Sequence, residues 1–188
     1  AEQAGIEYAF VIPNDYSELV TLFENHQLDF AYFGAYTFVK IQKSANARAL
    51  VMRDVDQQFQ SVFLVSAENP AKTLSDLRGQ PFSFGSRLST SGHLMPRFFL
   101  GNNGIDPEKF FSSVSYSGAH DKTAQAVATG KVAVGALNGE IASRMFENGQ
   151  LNAKSVRVIW RTPPYTDYVW AIRREVEEGA QNRIRDAF

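Results

Sequence analysis

The sequence has no cysteine, no hydrophobic run of membrane-spanning length and no surplus of charge of either sign. Without cysteine there are no disulfides, no thiolate metal sites and no cysteine nucleophiles. The 19 lysine and arginine residues nearly balance the 20 aspartate and glutamate residues, and the formal net charge is −1. Because binding to a nucleic-acid backbone needs clustered basic side chains, a nucleic-acid partner is not expected.

The residues that enzymes and metal sites require are also scarce. The serine cluster lacks a Gly-x-Ser-x-Gly elbow, and the chain has no phosphate-binding loop with its lysine. The three histidines, His26, His93 and His120, stand on separate predicted elements, which does not suit a metal site. We therefore expect a binding protein without catalytic activity, metal ion or cofactor.

The chain does contain a regular alternation of strand-like and helix-like segments. A β-rich run at residues 6–12 precedes an amphipathic helical pattern at 16–26, and a strand-like segment at 28–34 precedes a short helical pattern at 36–44. Further strands are predicted at 48–53, 60–65, 81–85, 113–117, 132–137, 156–161 and 168–173. Such alternation predicts an α/β fold with largely parallel sheets.

One stretch, residues 82–100, combines a short strand, a polar turn and a helix. Ser89, Thr90 and Ser91 fall where the helix begins, so hydroxyls and unpaired backbone N–H groups point the same way at the positive end of the helix dipole. This is the composition of an anion site, although serine and threonine also cap helices that bind nothing. Pro96 lies inside the helix, where its missing N–H frees a carbonyl one turn earlier and makes the first turns irregular.

Polar clusters lie at the ends of other predicted strands as well, at residues 117–121, at residues 138–140 and at Asp167. Ligands of open α/β sheets bind at the carboxyl ends of strands, so these clusters and the serine turn are expected to face one cleft. The hydroxyls and His120 offer donors to an anion, whereas Glu140 and Asp167 offer carboxylates to a cation. A ligand with an anionic head and a positively charged tail matches both.

Ordered short motifs run along most of the chain. They are DFAYFG at residues 29–34, DLRG at 76–79, FSFG at 82–85, STSG at 89–92, YSG at 116–118, HD at 120–121, GKV at 130–132 and DYVW at 167–170. Each motif alone is weak evidence, but the ordered set is specific. Together the motifs resemble those of the phosphonate-binding (PhnD-like) solute receptors of ABC transporters, over nearly the whole chain.

The resemblance implies a type II periplasmic-binding-protein fold, in which two α/β lobes with mostly parallel sheets close on a ligand by a hinge. Residues 1–66 and 166–188 are expected to form the first lobe, and residues 67–165 the second. The family's first strand and helix have no counterpart before Ile6, and its last segment has none after Phe188. The chain is therefore expected to be truncated at both ends.

The resemblance also implies how the head of a ligand is held. The family's Ser-Thr-Ser turn matches Ser89, Thr90 and Ser91, whose hydroxyls and neighbouring N–H groups hold the phosphonate oxygens. The family's histidine matches His120, which neutralises charge on the same group. Taken alone, His120 is better explained as a helix-start or surface residue, and its place after Ser117-Gly118 in the motif favours the contact.

Four other positions match family residues that contact the rest of the ligand. In members that bind an aminoalkylphosphonate, an amine is held at the positions of Glu140 and Asp167, although Glu140 could simply favour a helix start and Asp167 a turn. Aromatic residues that cover the ligand match Phe33 and Phe59, where other members carry tyrosine. Both phenylalanines could instead belong to the core.

The function implied by the resemblance is that of a solute-binding protein. It is expected to be a periplasmic or membrane-anchored extracytoplasmic monomer that binds a phosphonate, phosphate or phosphite and delivers it to the membrane permease of an ABC transporter. The alternative is a ligand-sensing domain of a signalling receptor with the same fold.

Overall fold

The computed structural model describes residues 5–188, which fall into two compact units. The first unit combines the described residues up to Gln58 with Thr166–Phe188, and the second is Phe59–Tyr165. Residues 1–4 of the expected first lobe lie outside the described residues. Within residues 5–188 no helix is both long and apolar enough to cross a bilayer.

The first unit contains three strands and three α-helices among its described residues. In chain order these are α1 (Tyr16–Glu24), β1 (Phe30–Phe33), α2 (Ala35–Ser44), β2 (Ala47–Val51), β8 (Val169–Arg173) and α7 (Glu178–Asp186). The strands form one sheet in the order β1-β8-β2, and both pairings are antiparallel. Alternate residues of β1 are buried, so that Ala31 and Phe33 enter the core with Val20 and Phe23 of α1.

The second unit contains a sheet of five strands. In chain order its elements are β3 (Ser61–Ser66), β4 (Pro81–Phe84), α3 (Met95–Asn102), α4 (Pro107–Phe110), β5 (Ser113–Tyr116), α5 (His120–Ala128), β6 (Val134–Asn138), α6 (Gly139–Glu147) and β7 (Val156–Arg161). The strand order is β5-β4-β6-β3-β7. Strand β4 runs parallel to β5 and β6, whereas β3 runs antiparallel to β6 and β7.

The expectation of mostly parallel sheets is therefore wrong. Of the two sheets, one is antiparallel and the other is mixed. Alternation of strand and helix gives parallel neighbours only where a helix returns the chain to the same sheet. Strands β3 and β8 are instead entered from the other unit of the chain, a change of direction that sequence periodicity does not record.

Two further expectations about the first lobe need correction. Strand β3 is expected in the first lobe, but it pairs with β6 and β7 in the second unit, so the change of unit comes at Gln58 rather than at residue 66. Residues 6–12 form no strand, and Phe10 and Ile12 are 77% and 78% exposed. A β-rich sequence forms a strand only beside another strand, and no such neighbour stands there among residues 5–188.

The second unit buries both faces of its sheet. Along β3, Phe63 and Val65 enter one apolar cluster while Val62 and Leu64 enter another, because successive side chains point to opposite faces. The two clusters fix the sheet between its helices. Because β4, β5 and β6 run parallel, their carboxyl ends lie at one edge of the sheet, where polar turns lead to the following helices.

Candidate functional site

The turn after β4 leads into a helix whose first turn is wider than an α-helix. Ser89 is the N-cap, and Thr90–Leu94 form a π-helical turn that continues directly into α3. The N–H of Leu94 donates to the carbonyl of Ser89 at 3.1 Å, a bond between residues five apart. The prediction that the proline makes the start of this helix irregular is confirmed.

The three hydroxyl residues of this turn are buried, and their roles differ. Ser89 is a helix cap, because its Oγ accepts the N–H of Gly92 at 2.9 Å. Ser91 is fully buried, and within residues 5–188 its Oγ has no hydrogen-bond partner. An unsatisfied buried hydroxyl costs about 1–3 kcal/mol, and an anion that accepts a hydrogen bond from it would remove that cost. Ser89 is thus used in capping, whereas the hydroxyl of Ser91 is not, and the predicted ligand contact of both serines stays a prediction.

His120 lies directly beside this turn. It is the first residue of α5, its side chain is buried, and its Nδ1 accepts the backbone N–H of Asn138 at 3.2 Å. A Cβ placed on Gly92 would stand 3.0 Å from the imidazole Cε1 and 3.0 Å from Ser89 Oγ, so glycine allows the close approach. The structure therefore brings His120 and the serine turn together, as the sequence motifs predict.

The surroundings of His120 favour its neutral form, whereas the sequence predicts a residue that neutralises the charge of an anion. Burial lowers the pKa of His120 to about 4, against a smaller opposing effect of Asp121. The imidazole is therefore neutral at pH 7, and because Nδ1 accepts a hydrogen bond, its proton sits on Nε2. The surroundings of His120 thus favour a neutral N–H donor, and the predicted neutralisation of ligand charge by His120 stays a prediction.

We expect the burial of His120 to make the protein less stable in mild acid. The folded-state pKa lies below the ordinary value, so the unfolded chain takes up the proton first and stability falls as the pH drops from about 6.5 towards 4. The full loss amounts to roughly 3 kcal/mol. Denaturant unfolding at several pH values should show this slope in the wild type and a smaller one in His120→Gln. Equal slopes in both proteins would contradict the assignment.

Glu140, the acidic residue predicted to contact a ligand, is not the residue that caps α6. Asn138, the last residue of β6, accepts the N–H of Ile141 at 2.9 Å through its side chain and so caps α6. Glu140 lies in the first turn of the same helix and is exposed. Asn138 therefore joins the site through its bond to His120, a role that sequence reasoning missed. The preference of asparagine for helix caps was the available signal.

Asp167 belongs to the first unit and is almost completely buried. Its Oδ1 accepts the N–H of Ala35 at 2.9 Å and that of Tyr168 at 2.8 Å. The N-cap of α2 is Gly34, which has no side chain, so Asp167 supplies the carboxylate that this helix start lacks. The structure gives Asp167 a capping role, and the predicted contact with a ligand stays a prediction.

The two phenylalanines predicted to cover a ligand are both buried. Phe33 has no exposed surface and packs edge-on against Phe23 in the core of the first unit, with ring centroids 5.2 Å apart. Its prediction as a ligand contact is corrected, because the pleat of β1 turns it towards the core and Tyr32 to the other face. Phe59 is 2% exposed and pairs through its backbone with Tyr165, and its ligand contact stays a prediction.

A polar cluster of the first unit, formed by Tyr32, Arg53 and Asp56, was missed at the sequence level. Asp56 is fully buried and holds the guanidinium of Arg53 by two bonds of 2.7 Å. The hydroxyl of Tyr32 donates to the same carboxylate at 3.0 Å, and burial, followed by this bond, raises the pKa of Tyr32. The strand pattern DFAYFG could have shown that Tyr32, and not Phe33, is on the polar face.

Arg87, in the loop that leads to the serine turn, is held by His93 and Tyr116. His93 bonds the carbonyl of Arg87 through Nδ1 at 2.9 Å, and its Nε2 accepts from Arg97 at 3.2 Å. The guanidinium of Arg87 lies 3.8 Å from the centre of the Tyr116 ring. Burial lowers the pKa of His93, which suits the neutral form that this arrangement needs. His93 therefore holds the loop around Arg87, and both of its ring nitrogens are engaged in hydrogen bonds.

Comparison with known proteins points to one family. Residues 1–188 match the sequence model of the family described as "ABC transporter, phosphonate, periplasmic substrate-binding protein". The chain is 31% identical over 196 residues to a probable phosphite-binding protein of an ABC transporter, PhnD1, from Prochlorococcus marinus. It is 28% identical over 190 residues to the phosphonates-binding periplasmic protein of Escherichia coli.

The solved structures agree with this assignment. The structure of Prochlorococcus marinus PhnD1 in complex with methylphosphonate matches with a TM-score of 0.91 and 29% identity, over 98% of this chain and 72% of that one. The expected type II periplasmic-binding-protein fold is confirmed by this likeness. The sequence matches cover 100% and 96% of this chain but 65% and 55% of the two relatives, so the chain spans less than two thirds of their length.

Proposed function

Because the chain belongs to the family of periplasmic substrate-binding proteins of phosphonate ABC transporters, we propose that it binds a phosphonate or a related tetrahedral oxyanion for delivery to a membrane permease. Its relatives include a probable phosphite-binding protein and a phosphonates-binding protein, and both are transport proteins rather than enzymes. No observation favours the alternative of a signalling receptor. Binding, delivery and any membrane anchor are proposals about the whole protein.

The observation that carries the proposal is the fully buried hydroxyl of Ser91. Its Oγ lacks a hydrogen-bond partner within residues 5–188, and it lies at the start of a helix, where backbone N–H groups and the dipole favour negative charge. The Nε2–H of His120 lies on the ring that packs against the same turn. Both groups are neutral donors, so the site binds an oxyanion by directed hydrogen bonds.

The other serine can contribute without losing its structural role. Ser89 accepts the N–H of Gly92 through Oγ and keeps its own proton, which can be donated to a ligand oxygen. Thr90 is buried next to it. We propose that Ser89, Thr90, Ser91 and His120 hold three oxygens of the ligand head. Exclusion of water from such a site strengthens each charge-assisted bond.

A thermal-shift panel tests the proposed ligand class. We expect methylphosphonate, phosphite or phosphate to raise the melting temperature, because a ligand present at 100 times its Kd stabilises the folded state by about 2.7 kcal/mol. Sulfate, which is tetrahedral but carries no phosphorus, is the comparison ligand, and acetate is the control for weak anion effects. A panel in which no phosphorus oxyanion shifts the transition would refute the proposal.

We further propose that Glu140 and Asp167 contact a cationic ligand tail, with Phe59 covering the ligand. Glu140 supports this proposal because its carboxylate is exposed, whereas Asp167 already accepts two backbone N–H groups. Aminoethylphosphonate is expected to bind at least about tenfold more tightly than ethylphosphonate, a difference of about 1.4 kcal/mol. In titration calorimetry, Glu140→Gln should lose the preference for aminoethylphosphonate. Equal affinities of the wild type for the two ligands would count against the proposed contact with a cationic tail.

A further inference from the structure

Two hydrogen-bonded hydroxyls, those of Tyr165 and Ser61, connect the last residue of the second unit to the serine turn. The Oγ of Ser61 donates to the backbone carbonyl of Ser91 at 2.7 Å, and the hydroxyl of Tyr165 lies 2.6 Å from the same Oγ. Ser61 has a single hydroxyl proton, which is used on the carbonyl, so the proton in the second bond comes from Tyr165. The order of donation is therefore Tyr165 to Ser61 to Ser91.

Pro96 explains why the carbonyl of Ser91 needs an outside donor. In the π-helical register, a carbonyl accepts from the residue five positions later, and for Ser91 that residue is Pro96, which has no N–H. In the α-helical register, Pro96 would have served the carbonyl of Gly92, which accepts the N–H of Gly85 at 2.8 Å instead. Both carbonyls that lose a donor to the proline are thus satisfied from outside the helix.

These bonds clamp the peptide group between Ser91 and Gly92 at both ends. Its oxygen is held by Ser61, and its N–H is held by Ser89 at 2.9 Å. The Cα of Ser91 borders this peptide, so the orientation of the peptide sets the direction of the Cα–Cβ bond that carries the buried Ser91 hydroxyl. Ser61 is itself fixed, since it is fully buried and its N–H donates to Thr162 Oγ1 at 2.9 Å.

We infer that Tyr165 is a positioning residue for the anion turn and that it acts through Ser61. The inference rests on the proposed function, because it assigns the Ser91 hydroxyl to a ligand. Tyr165 is the last residue of the second unit, and its backbone is independently held by two 2.9 Å bonds to Phe59. Replacing the tyrosine by phenylalanine therefore removes the hydroxyl while leaving the backbone anchor in place.

A double-mutant cycle with Tyr165→Phe and Ser61→Ala tests the inference. Calorimetric affinity for methylphosphonate should fall roughly 3- to 10-fold in each single variant, and the double variant should be no worse than Ser61→Ala. Ser61→Thr, which keeps the hydroxyl, should restore most of the affinity. Ser83→Ala is the matched control, because Ser83 is also buried and donates to a backbone carbonyl, that of Phe84.

The outcomes separate this inference from the proposed function. If the wild type binds methylphosphonate and Tyr165→Phe binds equally well, or if the two losses simply add, the positioning role is overturned. If the wild type binds no phosphorus oxyanion, the proposed function fails. Hydrogen exchange of the Gly92 amide in the empty protein then still decides the inference: Tyr165→Phe should speed exchange at least threefold, and an unchanged rate overturns the role.

Discussion

Replacing Phe33 by alanine is expected to lower the free energy of unfolding of the first unit by about 3–5 kcal/mol. The ring is completely buried, meets Phe23 edge-on, and shares its core cluster with Ile41 and Ala47. Alanine leaves a cavity that the antiparallel sheet and its two covering helices can fill only in part. Denaturant unfolding followed by circular dichroism measures the loss.

Two further variants separate a core role of Phe33 from a ligand contact. Phe98→Ala is the control, because its ring is 54% exposed in the second unit, and it should change the free energy of unfolding by less than about 1 kcal/mol. Phe33→Leu should keep the affinity for methylphosphonate. A small loss of stability in Phe33→Ala, or a large loss of affinity in Phe33→Leu, would restore the original prediction that Phe33 covers the ligand.

Replacing Ser91 by alanine is expected to reduce the affinity for methylphosphonate about 10- to 100-fold without destabilising the empty protein. A hydrogen bond to a charged group contributes about 1.5–3 kcal/mol, which corresponds to this range. The hydroxyl is buried without a protein partner among the described residues, so its removal relieves a cost. Titration calorimetry measures the affinity, and thermal unfolding of the empty protein measures the stability.

The neighbouring serines provide the controls for this experiment. Ser83→Ala removes another buried hydroxyl of the second unit, outside the turn, and should leave the affinity unchanged. Ser89→Ala should lower both affinity and stability, the latter by about 1 kcal/mol, because Ser89 caps the helix. Undiminished affinity in Ser91→Ala, or a stability loss as large as that of Ser89→Ala, would contradict the division of roles between the two serines.

The parts of the site that sequence could predict are those set by local chemistry. Hydroxyl residues cap a helix start, and a proline removes a backbone donor from the next turn; both effects operate between residues close in sequence. The turn at Ser89 and the irregular helix around Pro96 were therefore foreseeable. The place of His120 beside that turn followed from ordered motifs, and the packing of its ring against Gly92 agrees with it.

Other features depend on contacts between distant segments and could not be predicted from the local sequence. The direction of β3 follows from the chain changing units, and the low pKa of His120 follows from burial. The bond from Ser61 to Ser91 joins residues 30 positions apart, and the bond from Tyr165 to Ser61 joins residues 104 apart. Serine and tyrosine occur throughout the sequence, so nothing marked these two as partners of the turn.

Amide and imidazole NMR during a titration with methylphosphonate tests the central claim most directly. The account predicts that the largest shifts at saturation fall on the backbone amides of residues 90–92, which form the turn with the unsatisfied Ser91 hydroxyl, and on the Nε2–H of His120, whose ring packs against Gly92. We also expect the pKa of His120 to be higher in the complex than in the free protein, since a nearby anion favours the protonated imidazole. Saturable binding that leaves residues 90–92 and His120 unshifted would contradict the account.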